Sequence, residues 1–151
     1  MVFKKTAKAG TTQKRFCGFR VGLPRLLEKL PISEQAIRKI RSANETHLLR
    51  FYFGTADTSD VDAIYTHLLI SWGLAGRMSD AEAIRNEIWE AIRLVNKSLL
   101  RDQAADPLDL VQIQDTVCAT LDLWRLTTVE ELDGTIDEIN AEFLAFRNRA
   151  K

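Results

Sequence analysis

Apolar residues recur every three or four positions through five stretches of this chain, the spacing of helices that bury one face. The first runs over about 34–53, with Ile37, Ile40, Leu48 and Phe51 on its stripe and Asn44 and His47 at the same spacing. Ser33 stands where a helix cap belongs, and Gly54 where a helix stops. The second, about 60–75, carries Val61, Ile64, Leu68, Trp72 and Ala75 and is capped by Thr58 or Ser59. Asp60 and Asp62 fall in its first turn, where the helix dipole favours anions.

Ser79-Asp80-Ala81-Glu82 reads as a capping box opening a third helix over about 80–101, lined by Ile84, Ile88, Ile92, Val95 and Leu99. Asp106-Pro107 opens the fourth, about 107–126, with Leu110, Ile113, Val117, Leu121 and Trp124 inward. Thr128-Val129-Glu130-Glu131 is a second capping box, opening a fifth helix over about 129–149. Its apolar residues Val129, Leu132, Ile136, Ile139, Phe143 and Phe146 keep a heptad rhythm, with Gly134 on the outside. No stretch alternates with period two. The pattern predicts an all-α, single-domain bundle of about five helices over residues 24–151.

The first 23 residues break the pattern. Gly10, Gly18 and Gly22 punctuate a stretch rich in cations, which reads as a basic N-terminal arm. Pro24 then opens a short helix, Arg25 to Leu30, which Pro31 ends. Length agrees with one domain: 151 residues bury a sizeable core but do not make two ordinary domains. No run approaches the roughly 18 apolar residues that span a bilayer, so no membrane partner is expected. Two cysteines build no disulfide framework, and no apolar leader follows Lys4 and Lys5. A cytoplasmic protein with free thiols is expected.

Charge changes the picture more than composition does. The formal net charge is zero, with 21 basic and 21 acidic residues. Residues 1–50 nevertheless hold 12 Lys+Arg against 3 Asp+Glu, and residues 51–151 hold 9 against 18. A basic arm on an acidic body follows. The arm either neutralises phosphates or an acidic partner, or folds back on the acidic body of its own or a neighbouring chain.

Candidate chemistry is sparse. His47 and His67 have no carboxylate, histidine or cysteine at metal-ligand or triad spacing and read as structural. Cys118, beside Val117, reads as a small buried hydrophobe. Cys17, among Lys14, Arg15 and Arg20, has the cationic surroundings that favour a thiolate. Asp57, Asp60 and Asp62 lack the glycine and final glutamate of a calcium loop and read as a helix start. Glu131, Asp133, Asp137, Glu138 and Glu142 form an acidic outer face on the last helix. Trp72, Trp89 and Trp124 predict a shared aromatic core, with Trp89, one step off its stripe, alternatively an interface residue. No phosphate-binding loop occurs, and no cofactor is expected.

The stretch Leu48-Leu49-Arg50-Phe51-Tyr52-Phe53-Gly54-Thr55-Ala56, continued by Asp60, Ile64 and Leu68 through Leu74-Ala75, resembles a pattern in small all-helical proteins carried by bacterial phages and plasmids. It covers about a fifth of the chain. That group has no assigned activity, so the resemblance transfers no site. It implies an accessory or host-modulating protein.

The expectation is therefore a non-enzymatic interaction protein, an adaptor or inhibitor, that binds a protein partner through a helical surface and its basic arm. The alternative is a nucleic-acid-binding accessory protein. Both readings place the contacts on Lys4, Lys5, Lys8, Lys14, Arg15, Phe16, Phe19, Arg20 and Arg25 of the arm, and on Arg38, Lys39 and Arg41 of the first long helix. The seam on the last helix leaves a homo-oligomer open.

Overall fold

The computed structural model describes residues 29–99 and 105–149. Five helices account for most of them: α1 (Glu34–Tyr52), α2 (Thr58–Ala75), α3 (Ala81–Leu99), α4 (Pro107–Arg125) and α5 (Val129–Arg149). Among the described residues there is no strand, only an isolated bridge between Pro31 and Thr128. The fold is an all-α bundle. The arm and most of the short helix expected over Arg25 to Leu30 lie outside the described residues.

Helix ends form where the local chemistry asks for them. The Ser33 hydroxyl accepts from Ala36 N–H, and the Asp106 carboxylate accepts from Leu108 N–H with Pro107 opening the helix. Thr128 and Glu131 bond each other's backbone N–H reciprocally, as the capping-box spacing predicts. Gly54 stops α1 with φ 68°, a left-handed conformation that a β-carbon disfavours. The start of α2 corrects the sequence reading. Its cap is Asp57, not Thr58 or Ser59, and the Asp60 carboxylate reaches back to Asp57 N–H.

α2 is the central element. It packs against α1, α3, α4 and α5, while α1 also packs on α4 and α3 on α4. Both apolar and hydroxyl-bearing positions of α2 are buried, among them Val61, Ile64, Leu68, Ser71, Leu74 and Ala75. The stripes of α3 (Ile84, Ile88, Ile92, Val95) and α4 (Leu110, Ile113, Val117, Leu121, Trp124) are buried as the periodicity predicts. On α1, Ile37, Asn44 and Phe51 are buried. The Asn44 side-chain nitrogen has no hydrogen-bond partner among the described residues.

Three expectations change. Cys118 is exposed, because its position one step past Val117 turns it out of the core. The tryptophans share the core only in part, with Trp72 packed against the cluster that contains Trp124 and Trp89 turned outward. Trp124 is buried, Trp89 is 44% exposed, and half-buried Trp72 lies under Arg85, whose guanidinium carbon is 3.9 Å from the ring centroid. The heptad seam of α5 packs on the bundle but is only half-buried. Among the described side chains of α5 the one fully enclosed is Thr135; Ile136 and Ile139 are half-buried, Phe143 is 61% exposed, and the side chain of Phe146 lies outside those described. Gly73 explains the register. A β-carbon there would come within 2.5 Å of Thr135 Cγ2 and 3.2 Å of Ile139 Cδ1, so α5 lies directly on the backbone of α2.

The chain enters and leaves this bundle at one end. Ile32 N–H donates to Thr127 O, Val129 N–H to Leu30 O, and Arg125 pairs with Glu34. The start of α1 thus sits beside the end of α4 and the start of α5. α1 and α4 run antiparallel, so the end of α1 and the start of α4 share the opposite end of the bundle.

Candidate functional site

Of the residues singled out from sequence, Lys4, Lys5, Lys8, Lys14, Arg15, Phe16, Phe19, Arg20 and Arg25 lie outside the described residues, as does Cys17. Arg38, Lys39 and Arg41 are exposed on α1 and have no ion-pair partner among the described residues. They are the basic half of the outer face of α1. The other half is apolar. Leu49 is 56%, Tyr52 61% and Phe53 68% exposed, and the two rings pack edge to face with centroids 5.2 Å apart. The antiparallel course of α4 brings two more large apolar residues to this end, Leu108 at 79% and Val111 at 54% exposure. Periodicity assigned Phe51 to the core but did not register that its neighbours form a second, outward stripe.

The same end holds a charged joint between α1 and α2. Asp60 is fully enclosed. It accepts from His47 Nδ1–H at 2.7 Å, Arg50 Nη1–H at 3.3 Å and Asp57 N–H at 2.9 Å. Burial raises the pKa of its carboxyl, but the bonds from His47 and Asp57 and the charge of Arg50 outweigh burial and hold it below the usual carboxylate range. The thirteen-residue separation of His47 and Asp60 puts the pair beyond any single-helix spacing rule. The joint fixes the angle at which the aromatic end of α1 leaves the bundle.

The second histidine belongs to a buried polar chain between α2 and α4. His67 Nε2–H donates to Thr120 Oγ1 at 2.8 Å, and Thr120 donates to Val117 O. Trp124 Nε1–H donates to Ser71 Oγ at 2.8 Å, and Ser71 donates to His67 O. Burial drives the imidazole pKa down to about 4, against an opposing pull from the Val117 backbone, so the ring is neutral at pH 7. Every member of this chain has a partner, and none reaches an exposed site. Among the described residues no group of three or more His, Cys, Asp or Glu is arranged to hold a metal ion. No described helix is long and apolar enough to cross a membrane.

The comparisons add nothing to this geometry. No family model matches the chain, and neither the curated proteins nor the solved structures contain a match. The candidate site is therefore the one its own residues define: the outer face of α1, with the start of α4 beside its aromatic end.

Proposed function

We propose that the protein is a non-catalytic adaptor or inhibitor that docks a protein partner on the outer face of α1 and the start of α4. One observation carries this reading: Leu49, Tyr52, Phe53, Leu108 and Val111, from two helices, all stand more than half exposed at one end of the bundle. The two aromatic rings alone leave on the order of 200 Å² in water. Exposed apolar patches of several hundred Å² mark interaction surfaces in soluble proteins. The helix that bears most of the patch is held by a buried, charge-paired joint, so the surface is presented in a fixed orientation and binding costs little ordering entropy. The phage- and plasmid-borne resemblance is in keeping with such a role.

The test is quantitative capture of partners from the source cell by the full chain and by the variant Leu49→Ser/Tyr52→Ser/Phe53→Ser. Retention that falls at least about tenfold, with helicity and Tm unchanged, supports the reading. Equal retention by the two proteins overturns it.

A second reading rests on Arg38, Lys39 and Arg41, exposed and without ion-pair partners among the described residues, on the same helix as Tyr52 and Phe53 about 20 Å further along. Cations that neutralise phosphates, with rings further along the helix for bases to stack on, suit single-stranded nucleic acid. DNA and RNA binding followed against salt decides it. Affinity that falls log-linearly with salt, and loses slope in Arg38→Gln/Arg41→Gln, favours this reading. No binding at low salt removes it.

A further inference from the structure

We infer that the partner taken by the outer face of α1 is a second copy of this chain, through the outer face of its α5. The inference rests on the reading of α1 as a docking face and names its occupant.

The two faces are complementary in charge and in the order of their residues. α1 presents Arg38, Lys39 and Arg41 first and Leu49, Tyr52 and Phe53 last. The outer face of α5 presents Glu130, half-buried Asp133 and Glu138 first, then Leu144 at 55% exposure. None of these three carboxylates has an ion-pair partner among the described residues. The spacing agrees as well. Arg38 precedes Tyr52 by 14 residues, and Glu130 precedes Leu144 by 14, close to four full turns, so each pair shares one face of its helix. Each interval is about 20 Å of helix at 1.5 Å per residue. Laid side by side in the same direction, the two helices bring acid to base at one end and apolar to apolar at the other.

Within one molecule the two faces cannot meet, because α1 and α5 share no contact and are bridged by α2. Their directions favour a pairing between molecules. α1 returns along α2 through the tight Asp60 joint. α5 also runs against α2: Arg77 bonds Thr135, and the next turn of α5, at Ile139, lies against Gly73. α1 and α5 therefore run in the same sense. A two-fold axis along the bundle pairs α1 of each copy with α5 of the other, which closes the assembly at two. Exposed carboxylates and cations in this number give an interface sensitive to salt.

The experiment is sedimentation equilibrium of the full chain at low and at high salt, with three variants. The expected result is a dimer at low salt whose association weakens at least about tenfold at about 1 M salt. Arg38→Glu/Arg41→Glu and Glu130→Lys/Glu138→Lys each weaken it to a similar degree, and the chain carrying both reversals regains it. Zero-length carboxyl–amine cross-linking of a mixture of isotopically heavy and light wild-type chains gives a readout independent of variant folding. Heavy–light links from Lys39 to the acids of α5 support the inference. A chain that stays monomeric overturns it, whether α5 is then solvated or covered by residues 1–28 of its own chain. A dimer indifferent to both reversals overturns it too. A monomeric result leaves the docking reading standing on its capture test, and equal capture by the α1 variant sinks that reading whatever the oligomeric state.

Discussion

The imidazole of His67 lies flat against the indole of Trp124, with ring centroids 5.1 Å apart and planes 9° apart. The stack joins α2 to α4 in the middle of the core, where burial keeps the histidine neutral. This has a consequence with a definite sign. An unfolded chain takes up the imidazole proton near pH 6.5, but the folded chain only near pH 4. Between those values the unfolded state binds more protons, so stability falls as pH falls. The interval corresponds to a loss of about 3 kcal/mol. Urea unfolding at pH 7 and at pH 4 measures it. His67→Gln, already weaker at pH 7, should show a much smaller drop over the same interval.

The Asp60 joint makes an unequal pair of predictions. Asp60→Ala leaves the Asp57 N–H and the His47 and Arg50 side chains without their buried acceptor and should cost about 3 kcal/mol. His47→Ala removes one donor and leaves two, at a cost of about 1–2 kcal/mol. Chemical denaturation of both variants at pH 7 checks the order. A larger loss from His47 than from Asp60 would contradict this account of the joint.

Asn44 points the other way. It is 5% exposed, and its amide nitrogen lacks a partner among the described residues. Asn44→Leu replaces a buried unsatisfied donor with an apolar side chain of similar size. It should raise stability by about 1 kcal/mol, seen as a higher Tm.

At Gly73 the usual rule for helical glycines reverses. Alanine there gains about 1 kcal/mol of helix propensity. Its methyl group also meets Thr135 and Ile139, so a net loss of about 1–2 kcal/mol is expected. Combining Gly73→Ala with Thr135→Ser, which removes the clashing methyl while keeping the hydroxyl, should recover most of it.

Phe51 and Tyr52 are adjacent in sequence and opposite in consequence. Phe51 is 6% exposed and Tyr52 61%. Phe51→Ala should cost about 3 kcal/mol or more, and Tyr52→Ala less than about 0.5 kcal/mol. Thermal melts of the two variants separate the core face of α1 from its outer face.

These particulars mark where the sequence was legible. Helix positions were, because one-sided burial imposes a period that Ile84, Ile88, Ile92 and Val95 carry plainly. Ends were legible where Ser33, Asp106 and Thr128 offer an oxygen to bare N–H groups. The start of α2 was misread because Asp57, Thr58 and Ser59 all cap well. The deciding signal was the acid at Asp60, three residues after Asp57. The seam of α5 misled because hydrophobicity alone does not show that Gly73 admits a small threonine most closely. The candidate surface was hidden for a related reason. Leu49, Tyr52 and Phe53 carry the same apolar signal as a core stripe, and only the placement of α2 and α4 shows which stripe is left over. His47 and Asp60 meet through a turn between helices, which no periodicity encodes.

The placement of α2 also sets how the molecule comes apart. Four helices lean on it, whereas α5 leans on no other helix among the described residues. Shedding α5 gives up one interface, while disturbing α2 gives up four. Amide exchange should therefore be graded, fastest in α5 and slowest in α2. The most weakly tethered helix is also the one bearing the acidic face, so a local opening that costs less than global unfolding would carry that face away from the body as a unit.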